Sequence, residues 1–359
     1  MFAPHPTTSR PVRATMQPMP PPRLIRRTTA AAGAVFGSIT IAGPVAAHGA
    51  VPTEPPTVAS LLLGWTFEPV PTLGIAVAVA GWLWAVRRVN AMHPGNPVPR
   101  RRTAAFLSGM AALAFALLSG IGMYDTTLFS VHMVQHVLLM LVAAPLLILA
   151  APITIVLRLS SSETRHQWLL PILHSHVVRF MAHPVTAWVM FAAMMWATHF
   201  SPLFNASLED PLVHEVEHVL FLTGALLFWG PAAALDPMPF RMSHPGRSGY
   251  LFTQMTQNTF LAVVILNATA ALYPHYETLL RPWGTTALED QRLAAGIMWI
   301  AGDAIFLIAI MAVVYGWMRA EKRDEARADR RAGEEMTQIR IRERRLAERL
   351  ADERADQTG

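Results

Sequence analysis

Apolar stretches, each close to the length that crosses a bilayer as a helix, recur along most of the chain. An α-helix rises 1.5 Å per residue, so roughly 20 apolar residues span the hydrocarbon layer. Seven stretches meet that description, at about 70–88, 103–123, 130–157, 184–200, 213–233, 249–272 and 292–317. Charged residues supply only 15% of the chain, against roughly a quarter in a soluble domain. That leaves too little polar surface to cover a soluble fold. The expected fold is all-α: a polytopic bundle of seven transmembrane helices in contact with membrane lipids.

The flanks differ from this core. Residues 1–28 are Pro-rich and basic and are expected to be disordered. Residues 29–48 are apolar and end in Val45-Ala46-Ala47-His48, small residues of the kind a signal peptidase requires. They read as a signal peptide or an uncleaved anchor. The seven-helix region is expected over 59–318, and the Arg/Glu-rich segment 319–359 as a charged, solvated cytoplasmic helix.

Loop charge sets the orientation. Arg87, Arg88, Arg100, Arg101 and Arg102 lie between the first two spans, and Arg158, Arg165 and Arg179 between the third and fourth. Arg241 and Arg247 lie between the fifth and sixth, and Arg319, Lys322 and Arg323 follow the last. The alternate loops hold Asp125, Glu209, Asp210, Glu277, Glu289 and Asp290, with Arg281 as the lone base well inside one. Excess Lys and Arg mark cytoplasmic loops, so the mature N-terminus is expected outside a cell membrane and the C-terminal tail inside. The net charge of +5 is accounted for by these loops. No basic-aromatic patch points to nucleic acid.

The chain has no cysteine. Disulfides and thiolate metal sites are excluded, leaving His, Met and carboxylates as candidate ligands. Histidines on the cytoplasmic side sit mostly in loops, whereas those on the other side gather at helix ends. His132 and His136 are one turn apart at the start of the third span, and His214 and His218 repeat the spacing at the start of the fifth. Residues four apart share a helix face, with Cβ atoms about 5–6 Å apart, so each pair can share an ion. His199 ends the outward-running fourth span and arrives at the same level. The surrounding segments match, Val131-His132-Met133-Val134-Gln135-His136-Val137-Leu138 against Val213-His214-Glu215-Val216-Glu217-His218-Val219-Leu220, as in a duplicated helix.

Imidazole suits Zn, Cu, Fe and Ni, and a nearby thioether such as Met133 favours Cu(I). Asp303 falls near the bilayer midplane in the last span, where a carboxylate is costly and is usually paired or functional; Gln254, Gln257 and Asn258 are its expected partners. Asp125 reads as a ligand or, in preference, as the N-terminal partner of the third helix.

Several of these motifs resemble the CtaG (caa3-type) family of cytochrome c oxidase assembly factors. They are Phe129 to His136, Ala144-Pro145-Leu146-Leu147, Ala151-Pro152, His183-Pro184, the His214/His218 pair with Phe228-Trp229-Gly230-Pro231, Asp290-Gln291, Met298-Trp299-Ile300 and Gly302-Asp303. The resemblance implies an accessory factor, not an enzyme, that helps mature the respiratory haem-copper oxidase. Its implied partners are oxidase subunits and an extracytoplasmic copper chaperone, and its implied ligands are His132, His136, His214 and His218, then His199 and Asp303. Two other classes stay open. His214-Glu215-Val216-Glu217-His218 fits H-E-x-x-H, the zinc-protease pattern, and facing histidines on two helices can ligate haem or serve a quinone.

Overall fold

The computed structural model describes residues 52–358. The segment 1–28 expected to be disordered, the signal peptide or anchor expected at 29–48, and His48 within it, lie outside the described residues.

Among the described residues the chain is helical throughout its ordered elements. The principal helices are α1 (Pro69–Met92), α2 (Arg100–Leu118), α3 (Phe129–His136), α4 (Ala144–Leu149), α5 (Pro152–Leu159), α6 (Pro184–His199), α7 (Pro202–Glu209), α8 (Pro211–Ala233), α9 (His244–Leu266) and α10 (Ala287–Thr358). Five helical segments are long and apolar enough to cross a membrane: Pro69–Met92, Arg100–Tyr124, Phe129–Leu159, Pro211–Ala233 and Ala287–Arg349. The count of seven is therefore met for five. The shortfall has a physical cause in each remaining case. α6 has only 16 residues, and α9 has 23 residues but carries Arg247, Gln254, Gln257 and Asn258 along them.

The bundle is apolar inside and out, as a lipid-embedded protein must be. Phe129, Phe204, Phe221, Phe228 and Phe306 are fully buried, while Val216, Val219, Phe252, Phe260, Ile300 and Ile308 are exposed. α9 packs along α10, α10 along α3, and α8 against α4 and α6. α1 lies at the periphery, where Trp82 stacks on Phe106 at a 4.2 Å ring separation. Over residues 321–349, α10 continues as an exposed, highly charged helix.

The third span is not a regular helix. Pro145 offers no N–H and its ring crowds the carbonyl four residues earlier, and the turn before it widens into a π-helical stretch over Val137–Ala143. The Trp229 indole donates to the Met140 carbonyl in this stretch at 2.9 Å. π-Helical turns occur frequently at functional sites, and this one begins directly after His136. The span then breaks at Ala151, which takes a left-handed φ of 56°. Asp236 accepts from the Thr154 and Ile153 amides at 2.7 and 3.2 Å and so caps the restarted α5.

Close approach fixes one glycine. Gly120 opens the turn after α2 against the Ser60–Leu61 backbone, and a Cβ there would overlap the Ser60 carbonyl oxygen, whereas at Gly81 it would meet nothing within 4 Å. Gly120→Ala should cost about 1–3 kcal/mol, read as a lower melting temperature in detergent, while Gly81→Ala should not lower it. Equal melting temperatures for the two variants would contradict this packing.

Candidate metal centre

The site forms where the starts of α3 and α8 meet the end of α6. Asp290, on the first turn of α10, builds the start of α3. Its Oδ2 accepts from the Phe129 amide at 2.7 Å and its Oδ1 accepts from the Ser130 hydroxyl at 2.5 Å. At α8, Asp210 caps the helix by accepting from the Leu212 and Val213 amides. Both helices thus begin at fixed points a few residues before their histidine pairs.

The spacing argument holds in three dimensions. The His132 and His136 rings lie 4.2 Å apart and the His214 and His218 rings 4.3 Å apart. Across the helices, His132 faces His214 at 5.6 Å and His136 faces His218 at 6.4 Å. All four are buried, with His132 at 0% exposure. The structure places them deeper than helix ends at an open surface. Phe204 on α7 lies over the rings of His132 and His199, at 4.9 and 5.8 Å. The 273–276 segment is tied beside them: Tyr273 donates to the His199 carbonyl and Tyr276 to the Asp125 carbonyl. Burial, reinforced by the neighbouring carboxylate Asp125, pushes the Tyr276 phenol well up, so it remains a hydrogen-bond donor at neutral pH.

Two carboxylates complete the cluster. Asp125, Glu217 and Gln135 are at most 6% exposed. Asp125, His214 and His218 offer ligand atoms all within 4.8 Å of one another, and so do His132, His136 and Glu217. Asp125 is therefore a member of the site and not only a helix-terminal partner, because Gln135 Nε2 donates to its Oδ2 at 2.8 Å and His214 Nε2 stands 3.5 Å from the same oxygen. Sequence reasoning also missed Glu217, having attended to Glu215 through the zinc-protease pattern. A usable signal existed. Glu217 is three residues after His214 and adjacent to His218, which puts it on the histidine face, and Gln135 occupies the equivalent place in α3. Glu215 points outward and is exposed, away from where a metal-activated water would need a base.

Hydrogen bonds set the tautomers. Gln135 Nε2 donates to Asp125 and to the Ala116 carbonyl, so its Oε1 must accept from His218 Nε2, at 3.0 Å. His214 Nδ1 donates to the Ser207 carbonyl at 3.2 Å, which turns its Nε2 toward the Asp125 oxygen, 3.5 Å away, as an ion pair. His132 and His136 have no hydrogen-bond partner on either ring nitrogen. A buried polar atom left so costs about 1–3 kcal/mol, and a bound ion removes that cost.

The remaining sequence candidates divide. His199 donates from Nδ1 to the Met195 carbonyl at 2.7 Å, and its Nε2 is unpartnered. It lines, with His136 and Met133, a cavity of about 20 Å³ beside the histidine cluster. Met133 thus lines the same space as His136 and His199. Asp303 is not brought to the histidines. It lies several turns along α10, where Thr259 donates to its Oδ2 at 2.8 Å. Gln254 and Gln257 bond each other and Asn258 donates to the Met298 carbonyl, so the expected partners of Asp303 are otherwise engaged.

Residues 80–320 match the model of a family described as cytochrome c oxidase caa3 assembly factor. Similar proteins include uncharacterized protein Mb0105 of Mycobacterium bovis and MT0111 of Mycobacterium tuberculosis, each 33% identical over 289 residues, covering 78% of this chain. ML1998 of Mycobacterium leprae is 30% identical over 286 residues. The chain spans 43% of the length of these relatives. No solved structure matches it.

Proposed function

Because the chain belongs to the cytochrome c oxidase caa3 assembly factor family, we propose that it binds copper at the buried histidine–carboxylate cluster and passes it to an oxidase subunit. One observation carries the reading: four imidazoles and two carboxylates converge in a water-poor interior, with both ring nitrogens of His132 and His136 lacking any partner. Buried imidazoles in such numbers are expensive without an ion. An oxidase whose centres contain haem and copper needs a metal supplied during assembly.

Orientation follows from charge. The Arg-rich connections lie at the end of the bundle opposite the starts of α3 and α8, so the positive-inside rule directs the cluster to the extracytoplasmic half. Release to an oxidase subunit, directly or with an extracytoplasmic chaperone as donor, then requires α7 and the 273–276 segment to move aside, since they cover the site. A haem reading is disfavoured by space. The cavity beside His136 and His199 holds about 20 Å³, room for an ion or one water and not for a porphyrin.

The test is metal analysis of protein purified from membranes, with oxidase activity measured in the same membranes. Wild-type protein is expected to carry copper. The His132→Ala/His214→Ala double variant is expected to remain in the membrane, lose its copper and lower oxidase maturation at least tenfold. Copper at the wild-type level in that variant would refute the proposal.

A further inference from the structure

Six donor side chains are more than one ion accepts. A zinc or copper centre built from imidazole and carboxylate commonly takes four ligands, and exchangeable sites use three from the protein with one position open. Here the donors divide by geometry: Asp125, His214 and His218 in one set, His132, His136 and Glu217 in the other, each closed within 4.8 Å. Rings within a set lie 4.2 or 4.3 Å apart, and facing rings of different sets 5.6 or 6.4 Å apart.

The division is reciprocal. The α3 pair takes its carboxylate from α8, at Glu217. The α8 pair takes its carboxylate from the turn that leads into α3, at Asp125. Each repeat of the V-H-x-V-x-H-V-L segment thus supplies two imidazoles to one set, and its own neighbourhood supplies the acid to the other. From this we infer that the protein holds two metal ions side by side, each in a two-histidine, one-carboxylate site with an open position. The inference rests on the copper reading of the cluster and specifies its stoichiometry and ion class.

The donor types choose the ion. A carboxylate in each set favours a borderline divalent ion over the monovalent ion that a thioether would favour. Met133, the basis for expecting Cu(I), lines the neighbouring cavity with His136 and His199. The assigned occupants are therefore Cu(II) ions, with Zn(II) as a redox-silent stand-in. An open position on each ion is what transfer requires, because an incoming ligand from a recipient can bind before the outgoing one leaves.

The two sites differ in their supports. Gln135 and the Ser207 carbonyl orient the Asp125 set, whereas the His132 and His136 rings have no hydrogen-bonded support. Outer partners of this kind typically raise metal affinity 10–100-fold. The Asp125 site is thus the tighter one and fills first.

The experiment is Cu(II) titration of chelator-stripped, detergent-purified protein, read by bound copper per chain and by electron paramagnetic resonance. The expected wild-type result is two ions, with tight and weak phases and a half-field signal from dipolar coupling at full loading. Asp125→Asn and Glu217→Gln are each expected to retain one ion with an isolated signal, Asp125→Asn losing the tight phase. Retention profiles in size-exclusion chromatography should match wild type. One ion in wild type, lost in His132→Ala/His214→Ala but indifferent to either carboxylate change, would overturn the two-ion inference and leave the copper reading standing. No ion in wild type would overturn both.

Discussion

Asp290→Ala is expected to destabilise the protein by about 4–5 kcal/mol or more, because three donors at the start of α3 lose their acceptor at once and hydrogen bonds to a charged group contribute roughly 1.5–3 kcal/mol each. The Phe129 amide, the Ser130 amide and the Ser130 hydroxyl all converge on this one buried carboxylate. Asp290 also joins two distant parts of the chain, since it stands on α10 and the donors stand on α3. The expected result in detergent is a large drop in melting temperature together with loss of copper, because His132 follows the uncapped turn directly. Asp290→Asn keeps one acceptor oxygen and should fall between the two. A melting temperature within a degree of wild type for Asp290→Ala would mean that this contact does not position α3.

Gln135→Leu is expected to weaken copper binding by about 10–100-fold, the usual consequence of removing a group that orients a metal ligand. Gln135 is a positioning residue. Its amide nitrogen holds Asp125 and its amide oxygen holds His218 Nε2–H. Leucine fills the volume but leaves the Ala116 carbonyl and Asp125 without this donor. Gln135→Glu separates orientation from packing. It can still accept from His218 but repels Asp125, so it should impair the Asp125 site and spare the His132 site. The readout is the ratio of tight to weak phases in the copper titration, which a merely structural defect would lower together. Equal loss from both phases would argue against the assigned tautomer.

The covered site has a consequence for turnover. Tyr273 and Tyr276 hydrogen-bond to the backbones of His199 and Asp125, and His275 Nε2 donates to the Thr126 carbonyl at 2.9 Å. Gln291 ties the same connection down, accepting from the Leu272 amide at 2.7 Å and donating to the Ile265 carbonyl at 3.2 Å. Under the proposed copper reading, metal entry and exit would have to break contacts of this segment, and its resistance to opening would set how long an ion is retained.

The helical membrane class was legible in the residues alone. Apolar length is a local property, so the bundle could be read from it, and the i, i+4 histidine pairs follow from helix periodicity without knowledge of the fold. The family, too, was visible in the ordered motifs from Phe129 to Asp303. Apolar pattern marked 184–200 and 249–272 as spans too, but α6 has 16 residues and α9 carries Arg247, Gln254, Gln257 and Asn258, so neither stands with the five segments long and apolar enough to cross a membrane.

Tertiary structure decided which donors meet. Asp125 had a sufficient local explanation at a helix start, and Asp303 a sufficient one as a midplane acid, yet the first joins the histidines and the second bonds Thr259 far along α10. Glu217 and Gln135 share a helix face with histidines, but only the approach of α8 to α3 turns that face into two reciprocal ligand sets. Periodicity determines which side of a helix a residue occupies. Which sides come together depends on interhelical contacts such as the one Asp290 makes across 161 positions of chain, and no window of sequence contains both ends of them.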